Sequence, residues 1–195
     1  MGVPTIDTGP ITVADFYAFT DRRPDEEKWE LIDGELILNA SSAYLHQKIV
    51  GNVLYALTLQ FRRHKSRWHV IPGIGVLVSD ISRPEPDLMI VPPLGAHADP
   101  GQRDTKEAVV LFEVMSPSTS NRDLKWKRAA YTGMPALTHY VVLAQDQVEA
   151  VVFARDNGFA EQRLRLLSDT IEFPALGVTL PLSEIYVDIE FARSP

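Results

Sequence analysis

From Lys28 to Leu38 the chain reads KWELIDGELIL, two runs in which apolar and polar residues alternate on either side of Asp33-Gly34. Alternation with a period of two around Asp-Gly predicts a β-hairpin closed by a two-residue turn. The period then changes. Across residues 43 to 65, Ile49, Val53, Leu54, Leu57 and Phe61 recur at helical spacing and predict the longest helix of the chain. Ahead of the hairpin, Thr12 followed by Asp15 before FYAF marks the start of a short helix.

Beyond residue 66 the pattern predicts strands. WHVIPGIGVLV is strand-like, as is PDLMIVPP, which begins at Pro86 and is stopped by Pro92-Pro93. The segment 94 to 106 is polar and irregular. A strand is expected over 108–115, then a helix over roughly 120–133 that Gly133 ends. YVVL, VEAVVFA and a set of short strands complete the chain. A helix between strands 108–115 and 138–143 predicts an α/β sheet of mixed direction with at least one right-handed crossover.

The 195 residues are 45% hydrophobic and 23% charged, the balance of a globular chain with a sizeable core, and residues 1–195 are expected to form one domain. The absence of cysteine excludes disulfides and thiolate metal sites. Any metal must then bind through oxygen or imidazole, which favours hard ions such as Mg2+ or Mn2+. No stretch approaches a membrane span, and the N-terminus lacks the basic flank and apolar run of a signal peptide, so a cytoplasmic protein is expected. A net charge of −7 argues against a general nucleic-acid coat protein, though not against an enzyme acting on nucleic acid. The basic cluster FRRHKSRWH, residues 61 to 69, reads first as a solvated helix end and second as a phosphate-tracking strip.

The chemistry gathers elsewhere. Glu113 interrupts the apolar run AVVLFEVM, where an ionised carboxylate costs several kcal/mol unless it is paired or bound to a metal. Asp87 opens the PDLMIV strand. Two carboxylates converging from neighbouring strands suit a hard divalent cation, which polarises a phosphoryl oxygen and acidifies water. Asp123, Lys127 and Tyr131 follow at four-residue steps and share one helical face. An ordinary turn-capping aspartate, a paired core glutamate and a surface Asp–Lys pair are the bland alternatives for these groups. Other chemistries find no support. PGIGVLV has Gly-x-Gly without a third glycine or a following helix, and no Gly-x-Ser-x-Gly surrounds Ser116 or Ser118.

WELIDGEL, PDLMIV and FEVMSPSTSNRDLKWKRAAY resemble the bacterial putative restriction endonuclease family, formerly of unknown function, within the PD-(D/E)XK nuclease superfamily. The resemblance runs from about Val13 to Tyr140. It implies a restriction-endonuclease-like mixed β-sheet flanked by helices, with an N-terminal β-hairpin. It also implies a metal-dependent endonuclease that hydrolyses phosphodiester bonds in DNA, in which Asp87 and Glu113 hold Mg2+ or Mn2+ with the Val114 carbonyl as a further ligand. The superfamily's lysine would stand two positions after Glu113, where this chain has Met115. The resemblance implies that Lys127 replaces it and orients the attacking water, with Asp123 and Tyr131 fixing the lysine. Glu30 matches an N-terminal glutamate that approaches the metal, and His46 a histidine at the start of the long helix. A homodimer is expected, through the hairpin around Asp33-Gly34 or the C-terminal strands. The alternative is a catalytically inactive module of the same fold that binds nucleic acid or a protein partner.

Overall fold

The structure is a computed structural model that describes residues 9–95, 99, 101–115 and 121–191, with the backbone alone at 121–123. Helix α1 (Val13–Thr20) starts at a capping box. The Thr12 hydroxyl accepts from the Asp15 N–H at 3.2 Å, and the Asp15 carboxylate accepts from the Thr12 N–H at 3.1 Å. The hairpin follows as β1 (Lys28–Ile32) and β2 (Glu35–Asn39). Its turn residues Asp33 and Gly34 both take positive φ, 49° and 79°, the twist a two-residue hairpin needs. A Cβ on Gly34 would lie 2.8 Å from the Pro10 Cα, so the position is closed to other residues on two counts.

Helix α2 (Tyr44–Arg63) is the long helix. The stretch WHVIPGIGVLV is not one strand. Pro72 removes a donor and Gly73 turns the chain at φ 68°, leaving β3 (His69–Ile71) and β4 (Gly75–Val76) in different sheets. The second expected strand also starts later than Pro86, at Leu88, as β5 (Leu88–Val91), so Asp87 stands just before the ladder. Within the irregular stretch, β6 (Asp104–Thr105) pairs with β4. Then come β7 (Val110–Met115), helix α3 (Asn121–Thr132) and β8 (His139–Ala144). Strands β9 (Ala150–Ala154), β10 (Glu161–Leu164), β11 (Thr170–Phe173) and β12 (Val178–Pro181) precede a last short helix, α4 (Leu182–Ile185).

The main sheet has the order β10-β9-β8-β7-β5-β3. Its neighbours are antiparallel except β7 and β8, whose parallel pairing is made by the crossover through α3. Side-chain alternation divides the two faces. Leu88, Ile90, Val110, Phe112 and Val114 pack with Ile49, Val53 and Leu57 of α2, a cluster that β11, β12 and α4 complete. Met89, Leu111, Tyr140 and Phe153 pack on the other face with Tyr131 of α3. Each fully buried aliphatic side chain contributes about 2 kcal/mol, so the two layers hold the sheet from both sides. On β7 this alternation aims Glu113 and Met115 at the α3 face.

Among the described residues no helix is long and apolar enough to cross a membrane. The Ser-Pro-Ser-Thr segment after Met115 and the side chain of Asp123 lie outside the described residues.

Candidate active site

The site forms where the hairpin is laid against the segment that leads into β5. Leu31 and Arg83 exchange backbone hydrogen bonds, N–H to C=O, at 3.3 and 2.7 Å. This bridge carries Glu30 alongside Glu85, whose N–H donates to the Glu30 Oε1 at 2.6 Å. From the sheet, β7 presents Glu113. From α3, Lys127 reaches both acids, its Nζ lying 3.1 Å from the Glu113 Oε1 and 3.3 Å from the Glu30 Oε1. One turn on, the Tyr131 hydroxyl donates to the same Glu113 oxygen at 3.0 Å. All four side chains are buried.

Asp87 adjoins this cluster through β7. Its Oδ2 accepts from the Val114 N–H at 2.7 Å, and its Oδ1 lies 3.1 Å from the His46 Nε2 in the first turn of α2. The His46 Nδ1 is buried and has no hydrogen-bond partner among the described residues. Around these groups opens a cleft of about 490 Å³, lined by Glu30, His46, Asp87, Glu113 and Lys127 together with the 39–43 loop. The structure thus gathers Glu30, Glu113, Lys127 and Tyr131 into one contact set, with Asp87 and His46 at its rim. Met115 shares the Glu113 side of β7 and packs into the apolar cluster under α3.

Burial sets the electrostatics. It raises the Glu113 carboxyl, Lys127 opposes that rise, and the nearby Asp87 and Glu30 add to it; the result is pushed up to about 8. The Tyr131 phenol is raised well above its ordinary range by burial first and by the two glutamates second, so near neutral pH it remains a hydrogen-bond donor.

Two contacts had no signal in the sequence pattern. One is the Glu85 N–H that orients Glu30. The other is the Trp126 indole, which donates to the Asp33 Oδ2 at 2.7 Å and ties α3 to the hairpin turn. Trp126 precedes Lys127 by one residue and therefore lies off its helical face, so periodicity could not pair it with anything.

Among the described residues no three acidic or histidine side chains converge closely enough to enclose a metal ion by themselves. Asp87, just before β5, and Glu113, on the adjacent β7, nevertheless supply hard oxygen donors, and Asp87 lines the cleft. Mg2+ keeps several waters and commonly takes only one or two carboxylates, so this donor set fits it.

A six-stranded mixed sheet flanked by helices is the architecture of a restriction-endonuclease-like fold. The model of the Uma2 family, described as a putative restriction endonuclease, matches residues 13–183, and the chain belongs to that family. Among curated proteins nothing matches. A solved structure of a putative nuclease belonging to DUF820 from Anabaena variabilis shares the fold with a TM-score of 0.73 and 12% identity, covering 90% of this chain and 97% of that one.

Proposed function

We propose that this chain is a metal-dependent endonuclease that hydrolyses phosphodiester bonds in DNA. The observation that carries the reading is the Lys127 ammonium lodged between Glu113 and Glu30 at the edge of a cleft that also holds Asp87. Asp87 and Glu113, with the Val114 carbonyl, would hold Mg2+ or Mn2+. When bound there, the ion supplies Lewis acidity toward a phosphoryl oxygen and lowers the pKa of water.

The chain's own groups do the rest. Glu30 and Glu113 hold the Lys127 ammonium in place, and Tyr131 fixes the Glu113 carboxyl. Lys127 orients the attacking water and offsets the negative charge that grows on the phosphate oxygens. His46 holds the Asp87 carboxylate from the α2 side. Burial excludes bulk water from the ammonium and strengthens each of these contacts. Met115 favours a second reading, an inactive module of the same fold, since the usual lysine position is apolar.

A screen of supercoiled, linear, single-stranded and branched DNA, beside RNA, with Mg2+ and with Mn2+ separates the two. DNA cleavage that is lost in EDTA and in Glu113→Ala is expected. Equal residual cleavage by wild type and variant would mark a contaminant and leave the inactive module.

A further inference from the structure

The outer face of α2 leads out of the cleft. Tyr44, Gln47, Gly51, Tyr55 and Arg62 fall on one stripe of that helix, and all are exposed. Gln47 lines the cleft itself. Tyr44 and Tyr55 are 81% and 68% exposed. Between them, Gly51 sits in mid-helix, where a Cβ would meet nothing within 4 Å. Packing therefore does not require a glycine there, and a mid-helix glycine weakens the helix. Its other consequence is a shallow place between two exposed tyrosines.

At the far end the stripe reaches a dense group of cations. Arg62, Arg63, Lys65 and Arg67 are exposed and have no ion pair among the described residues. By contrast, Arg23, Arg83, Arg103, Arg163 and Arg165 are each paired with a carboxylate, and Lys48 on the flank of α2 lies 3.8 Å from Asp188. A chain of net charge −7 thus leaves a concentrated positive surface uncompensated at one end of a helix whose other end enters the acidic cleft. Such a surface attracts a polyanion.

We infer that one strand of the nucleic-acid substrate lies along α2, with its phosphates on the 62–67 turn, its backbone passing over Gly51 and its reacting phosphate in the cleft. The direction of travel toward the cleft rests on the nuclease reading; the binding surface does not. The 20-residue helix spans about 30 Å. At roughly 3.4 Å per nucleotide of one strand, that separates the turn from the reacting phosphate by about eight or nine nucleotides. The 61–69 cluster is then more than a solvated helix end.

The test compares wild type with a fourfold variant, Arg62→Gln, Arg63→Gln, Lys65→Gln and Arg67→Gln, and separately with Gly51→Leu. Affinity for a fluorescent 30-base-pair DNA duplex is measured in EDTA across a salt series, so that no cleavage intervenes. The fourfold variant is expected to keep its melting temperature, to bind at least tenfold more weakly at about 100 mM salt, and to lose roughly three units of the slope of log K against log salt. Gly51→Leu should weaken binding several-fold without loss of thermal stability. Unchanged affinity and slope would overturn the proposal. So would a change of oligomeric state by light scattering with DNA binding unaltered, which would assign this face to a second copy of the chain. If wild type cuts no nucleic acid while duplex binding depends on the four cations, the nuclease reading fails and this surface stands. If it cuts and binding ignores them, the converse holds.

Discussion

Lys127 is the counter-charge of two buried carboxylates, so its replacement acts on stability and on chemistry together. Lys127→Met leaves Glu113 and Glu30 facing each other without a cation, a loss of about 3–5 kcal/mol for a broken buried pair. The loss relative to wild type should be greater at pH 8.5 than at pH 5.5, where Glu113 is protonated, and paired thermal melts would show it. In folded variant, cleavage should fall by about 100-fold or more. Lys125, exposed on another side of α3, is the control for positive charge, and Lys125→Met should retain most activity. Equal loss in both variants would remove Lys127 from the chemistry. Glu113 adds a pH dependence with a definite sign. Its folded pKa, pushed up to about 8, lies above the ordinary glutamate value of 4.5, so its stabilisation of the metal-free fold is complete below about 4.5 and is lost as pH rises through 8. A cation that binds this carboxylate must displace its proton. Mg2+ or Mn2+ affinity should therefore rise from pH 6 to pH 8 with release of a proton, which calorimetry in two buffers of different ionisation enthalpy measures; pH-independent affinity would take Glu113 out of the ligand set. At this scale part of the site was legible. A glutamate inside AVVLFEVM had to find a partner, and four-residue spacing put Lys127 and Tyr131 on one face. The contacts that join Glu30 to Glu85 and His46 to Asp87 span tens of residues and leave no local periodicity to read.

The elements were legible wherever one local rule decided them. Asp-Gly between alternating runs gave the hairpin, apolar spacing gave α2, and Thr12 with Asp15 gave the cap of α1. WHVIPGIGVLV misled because its composition is that of a strand throughout, while Pro72 and Gly73 reverse the path in the middle. The docking of the hairpin was not legible either. It depends on the Leu31–Arg83 bridge and on the Asp33 side chain, which accepts from Ser82 as well as from Trp126. Gly34 is where this docking is most exposed to a single change. Gly34→Ala places a side chain at φ 79° and against Pro10, and should destabilise by about 2 kcal/mol or more. For a chain of this size that lowers the melting temperature by about 4–8 °C. Because the turn anchors β1, Glu30 should lose its hold on the Glu85 N–H, and β1 amides should exchange faster with solvent than those of β7. Unchanged melting and exchange would mean that the hairpin docks through β1 alone.

Viewed whole, the chain keeps its buried chemistry at one end of β5 and β7 and leaves the β2 edge of the hairpin open among the described residues. Strand β2 pairs with β1 on one side and has no strand partner on the other among the described residues. Its Leu38 and Ile37 are 53% and 37% exposed, and an apolar edge strand is a template for a strand of another chain. The Asp33-Gly34 turn is already held by Ser82 and Trp126 and by backbone hydrogen bonds with Ile11 and Ile81, so a contact through the hairpin would fall on β2 itself. Two copies joined antiparallel at β2 form an isologous pair, the commonest symmetric assembly, and set two clefts about one two-fold axis. That geometry suits cleavage of both strands of a duplex, since the strands run in opposite directions and each would meet the same face. A homodimer is therefore expected by light scattering at micromolar concentration. Leu38→Lys should return it to a monomer with unchanged circular dichroism, because the side chain already faces solvent and only the edge is altered. A monomeric wild type would leave the open edge without this role. A dimer that survives Leu38→Lys would move the contact to the C-terminal strands.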